Sequence, residues 1–380
     1  MYWFPLDFIN YSFLLHAHSH VAMLGWVYLM IYVLVVHFFI PKEKRRKHVY
    51  KHLFWLTEFS VIGMMLAFPI QGYALFSIVF STLHIVLSYV FCRLIWKDSG
   101  NEKTPEQKLL IAAMVFMVVS TVAVWCLGPA VSTLGKQSVF YQIAIQFFLH
   151  FQFNGWFLLS ILALFLKQFQ YKVDEKQFKK FYVLLIASVV LTVFFSVRWF
   201  IENDIFSLLN TFGVVLQLLA FAYGYKMLMP QINNFTASLD PVTKVVYGLA
   251  LFSLALKISL QLMTIFPDIS QVSHQIRNFV IGFIHLTSLG VITGFLFGIL
   301  LQNKIISARS SLLKTGIITF ILGFCATEIL LFLQGGLFYF EKGMITGYHE
   351  IVFGFSFLLF LGLLLIMASL INKKQEPIHS

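Results

Sequence analysis

Apolar residues run along the chain in long stretches, each closed by a short group of polar or charged positions. Every stretch is near the roughly 20 residues that a helix needs to cross a bilayer. The pattern predicts eleven spans, over 17–40, 53–70, 73–96, 109–127, 138–166, 181–197, 204–226, 242–266, 276–301, 313–333 and 346–372. The expected fold is all-α, a polytopic membrane helix bundle. No long linker or low-complexity stretch divides it, so residues 1–380 read as one integral membrane domain.

Composition agrees. The chain is 59% hydrophobic and 11% charged, against about 25% charged residues in soluble domains. A water-facing surface cannot be built from it. The net charge of +11 raises the question of nucleic acid, and position answers it. Of the 27 basic residues, twenty-two between Lys42 and Lys374 fall on one side of the spans; Lys136, Arg198, Arg277 and Lys342 fall on the other, and Lys257 lies within a span. Basic residues gather on the cytoplasmic side, which puts the N-terminus outside and the C-terminus in the cytoplasm. The basic excess is topological, the expected partner is the lipid bilayer, and the expected location is the cytoplasmic membrane. Cys92, Cys126 and Cys325 have no paired spacing that would imply a disulfide framework. The opening MYWFPLDFINYSF lacks the basic n-region of a signal peptide.

The histidines are not scattered. His16, His18, His20, His84, His150, His285 and His349 lie on or at the start of spans 1, 3, 5, 9 and 11, the spans that descend from outside. Most fall in the outer half of the membrane. Imidazole at that depth is costly and faces a bundle interior or cavity. One such histidine reads as a hydrogen-bond donor to a neighbouring helix; seven on one side read as ligands, because imidazole suits haem iron, copper and zinc. At about 100° per residue His18 and His20 point to nearly opposite faces, while His16 and His20 share one.

Four spans repeat one spacing, histidine followed five residues later by glycine: His20–Gly25, His150–Gly155, His285–Gly290 and His349–Gly354. The first three recur every four spans, 130 and 135 residues apart, as in membrane proteins built from internal repeats, whose sites lie where repeats meet. Glycine at that place lets a neighbouring helix or a flat macrocycle approach closely. His84 departs from the pattern, with Tyr89 at the glycine position.

HAHSHVAMLGWV (16–27), with the four-span repeat, resembles the catalytic subunit of the haem-copper oxidase superfamily, nearest to the high-affinity cytochrome oxidases and nitric oxide reductases, or to shorter haem-binding relatives that take part in nitric oxide responses. The resemblance implies twelve helices in pseudo-repeats of four, with haems in the outer half. Two placements are open. Local similarity makes span 1 the family's tenth helix, with His18 resembling the high-spin and His20 the low-spin haem ligand. Chain order makes the family's first helix missing, so that spans 1, 5 and 9 match its second, sixth and tenth. His20 and His285 then resemble haem ligands and His150 a copper ligand. Chain order explains topology and repeat together and is preferred. The family's adjacent histidine pair on the seventh helix has no counterpart in span 6 (FYVLLIASVVLTVFFSV), so the copper centre in its familiar form lacks ligands. His18, His20, His285 and His349 are the expected haem ligands, and His150, His84 and His16 the expected metal ligands.

Glu58, Lys257 and Glu328 fall within spans 2, 8 and 10. Intramembrane ionisable residues are candidates for proton relays, although Lys257 and Glu328 are equally placed to pair with each other. Arg198 and Arg277 at the outer surface read as interfacial anchors or as partners for propionates. The expected function is a haem-binding membrane protein, oxidoreductase-like if it turns over, handling electrons, oxygen or nitric oxide, with an electron-donor protein or quinol as partner. The competing expectation is a divalent-metal transporter or zinc- or copper-binding membrane protein.

Overall fold

The computed structural model describes residues 10–100, 104–169, 174–306 and 310–373. The fold is 87% helical, and among the described residues there is no strand. Eleven helices are long and apolar enough to cross a membrane: Tyr11–Phe39, His48–Gln71, Leu75–Asp98, Pro105–Thr133, Val139–Leu166, Glu175–Arg198, Asp204–Ala237, Pro241–Met263, Arg277–Gln302, Ser311–Tyr339 and Tyr348–Ile371. Each coincides with one predicted span and keeps its number below. The chain is a multi-pass helical membrane protein surrounded by lipid.

Several helices overrun the apolar stretches that predict them, because the residues that end a helix lie in the polar loops. Asn10, Thr104, Asp174, Asp240 and Ser310 accept backbone N–H groups of the first turns of spans 1, 4, 6, 8 and 10. These are the side chains preferred for capping. Pro105 and Pro241 follow two of these caps at the first helical position, where a missing N–H costs nothing. Burial raises the cost of charge on Asp240, but hydrogen bonds from the Thr243 hydroxyl and the Val242 and Thr243 amides hold its carboxyl below the usual range.

The helices divide into two compact units. Spans 1 to 6 with Leu219–Met227 make the first; Ser207–Leu218 and the chain from Leu228 onward, including spans 8 to 11, make the second. In the first, span 1 packs on span 2, span 2 on span 3, and span 4 on span 5. In the second, span 8 packs on span 9, span 9 on span 10, and span 10 along span 11. Spans 5 and 9 are the most enclosed, with 72% and 78% of their apolar windows buried. Both carry the His-to-Gly spacing.

Spans 1, 5 and 9 each change their winding partway along. Val21–Tyr28, Phe151–Phe157 and Leu286–Thr293 are π-helical, wound so that each N–H reaches back five residues. Each π segment begins at the residue after its histidine: His20, His150 and His285. The repeat read in the sequence is therefore a repeat of backbone geometry.

Candidate functional site

In the first unit the histidines of span 1 divide as their spacing demands. His16 and His20 share one face, and His18 is exposed on another. The shared face meets the end of span 2 and the turn after it. The His20 ring stands 4.3 Å from Phe68 and 5.9 Å from Tyr73, and the His16 ring 4.8 Å from Tyr73 and 6.4 Å from Phe68. Tyr73 lies in the turn between spans 2 and 3, where burial pushes its phenol up to about 12 and keeps it neutral.

His20 Nδ1 lies 2.8 Å from the His16 carbonyl. A carbonyl only accepts, so Nδ1 carries the proton and Nε2 the lone pair. This is how ligating histidines are usually oriented. His84 of span 3 is buried, with its ring 4.7 Å from Tyr28 and within electrostatic reach of His20. Its Nδ1 is 3.4 Å from the Ser88 hydroxyl, and the Leu24 backbone carbonyl lies within hydrogen-bonding reach of its ring.

His150 is held differently. Its Nε2 donates to the Val189 carbonyl at 2.8 Å, and the Asn154 amide lies 3.4 Å from its Nδ1. Val189 sits one turn before span 6 breaks at Thr192 and Val193. The span lacking a histidine pair thus meets His150 with a main-chain oxygen. A metal bound at Nε2 would have to displace that bond.

In the second unit His285 Nδ1 lies 3.8 Å from Glu328 Oε1, an ion-pair distance rather than a hydrogen bond. Glu328 is buried, and neither of its oxygens takes part in a hydrogen bond among the described residues. Lys257 is wholly buried; its Nζ donates to Gln261 Oε1 at 2.7 Å and stands 5.4 Å from the Phe283 ring centre. Glu328 therefore faces an imidazole of span 9, where the sequence places Lys257 as its equal candidate. His349 is exposed at the start of span 11, and Glu58 is half-buried in span 2.

The glycines explain the repeat's other half. A Cβ on Gly25 would stand 3.0 Å from Val61 Cγ1, one on Gly155 2.6 Å from Phe116 Cβ, and one on Gly290 2.6 Å from Ser253 Oγ and 2.7 Å from Phe324 Cζ. In all three it is a neighbouring helix that fills the space. Gly354 has nothing within 4 Å.

Among the described residues, no three His, Cys, Asp or Glu side chains gather into a group able to hold a metal ion. His16, His84 and His150 do not form such a group. Sequence reasoning missed the π segments, Phe68 and Tyr73 beside His20, and the Val189 carbonyl on His150. Asn154, one turn after His150, was within reach of a spacing argument.

The fold and these side chains define a polytopic helical membrane protein with repeated histidine-π segments. No protein-family model matches the chain, and no curated protein matches it.

Proposed function

We propose that the protein is a haem-binding membrane protein of the oxidase-like kind, in the cytoplasmic membrane with its N-terminus outside. One observation carries the reading: on spans 1, 5 and 9 a histidine is followed at once by a π segment, at the equal steps of the sequence repeat. π segments occur frequently at functional sites because they re-aim side chains. His20 in the first unit and His285 in the second are the residues that would hold haem iron.

Their surroundings fit that role. The His16 carbonyl fixes the His20 proton on Nδ1, so the lone pair on Nε2 is available to iron. Phe68 and Tyr73 shield the His16–His20 face, and a neutral Tyr73 adds no charge beside it. In the second unit the Glu328 carboxylate is 3.8 Å from His285 Nδ1, within ion-pair distance but without a hydrogen bond. Bound haem would supply one-electron chemistry and an affinity for oxygen or nitric oxide. An electron-donor protein or quinol would serve as its reductant.

Protein purified from haem-supplied cells is expected to show a Soret band, and His20→Ala is expected to remove its low-spin component. A purified wild-type sample with no Soret absorbance rejects the reading. An unchanged spectrum in His20→Ala rejects that ligand.

A further inference from the structure

Between the last turns of span 3 and the middle of span 4 the first unit has an open groove that the haem reading does not use. Arg93, Trp96 and Lys97 line its span 3 wall, and Val115, Val118 and Val119 its span 4 wall. Both triplets follow i, i+3, i+4 spacing, so each lies on one helix face. The two walls differ in chemistry. One is aliphatic, with Val115 and Val118 exposed; the other presents two exposed cations around an indole.

The cations are left over from local pairing. Asp98 is the nearest acidic residue in the chain, and it is buried and taken. Lys47 Nζ lies 3.2 Å and Lys44 Nζ 3.5 Å from its carboxylate, and the Tyr50 hydroxyl donates at 3.1 Å. Glu106, at the start of span 4, pairs with Lys167 at 3.0 Å. Among the described residues neither Arg93 nor Lys97 forms an ion pair, and both side chains are exposed.

Depth comes from a separate observation. Trp96 is 63% exposed between the two cations, and exposed tryptophans settle where headgroups meet hydrocarbon. Arg93 and Lys97 can carry their charges to that level on long apolar stems. The valines lie deeper, at the level of acyl chains.

We propose that this groove binds an anionic phospholipid, with one acyl chain along Val115, Val118 and Val119 and the phosphate against Arg93 and Lys97. A guanidinium grips a phosphate with paired donors and an ammonium adds a point charge. A lipid whose headgroup carries a cation would set its own positive charge beside theirs. The site is independent of haem.

The full chain, purified in detergent and stripped of lipid, is titrated with phosphatidylglycerol, phosphatidylcholine or inorganic phosphate, and bound lipid is counted by native mass spectrometry. One phosphatidylglycerol is expected to bind in preference to phosphatidylcholine. Its affinity is expected to fall roughly thirty-fold in Arg93→Gln/Lys97→Gln, the loss of two surface cations. Val118→Trp fills the aliphatic wall and is expected to weaken binding with both cations in place. Inorganic phosphate is expected not to compete, because it has no chain.

Equal retention of phosphatidylcholine, or phosphatidylglycerol binding unchanged in both variants, overturns the proposal. So does displacement of phosphatidylglycerol by free phosphate or by an equimolar quinone. Should the double variant fail to fold, the wild-type preference and Val118→Trp still decide.

Discussion

Spans 9 and 11 carry the same written signal, histidine and then glycine five residues on, and they are built differently. After His285 the backbone of span 9 turns π-helical and Gly290 is wedged against Ser253 and Phe324. After His349 the backbone of span 11 stays α-helical, and Gly354 has open space around it. The window of span 9 is 78% buried and that of span 11 only 11%. Spacing alone does not set the local structure; the π segment appears where neighbouring helices enclose the glycine.

That contrast can be broken most directly at the histidines. His285→Ala is expected to abolish part of the Soret spectrum, and His349→Ala to leave it intact. Equal loss in both, or in neither, dissolves the distinction between the two spans. The glycines come next. Gly290→Ala forces a methyl into a filled space and is expected to cost about 1–3 kcal/mol. Gly354→Ala is expected to stay within about 0.5 kcal/mol, both read from unfolding midpoints in one detergent. A smaller effect is expected where the two spans meet at their starts. Asn278 of span 9 donates to the Tyr348 hydroxyl at 2.7 Å. Asn278→Ala is expected to lose about 1 kcal/mol, with no change in the absorbance spectrum. A spectral shift there would mean that the start of span 11 matters to the site after all.

The eleven spans were legible because apolar length is all that a bilayer requires of a helix. Their ends were less so, since Thr104, Asp174 and Asp240 act through a few local hydrogen bonds in polar loops. The π segments left no mark in the hydrophobic pattern. In a helix that is apolar on every face, an extra residue per turn shifts no stripe, because there is no stripe to shift. Only the fixed distance from histidine to glycine hinted at them. The shared face of His16 and His20 followed from their separation by one turn. Phe68 and Tyr73, which complete that face, come from elsewhere in the chain, and no local spacing points to them. Glu328 was visible as an intramembrane acid, but its imidazole neighbour depends on how spans 9 and 10 face each other.

His150 is steadied by the main-chain oxygen of residue 189, so the identity of that side chain is irrelevant to the bond. Over evolutionary time Val189 can drift to any residue that keeps the helix and its interruption. A search for correlated substitutions would then pass over this pair, although one oxygen atom decides how the imidazole stands.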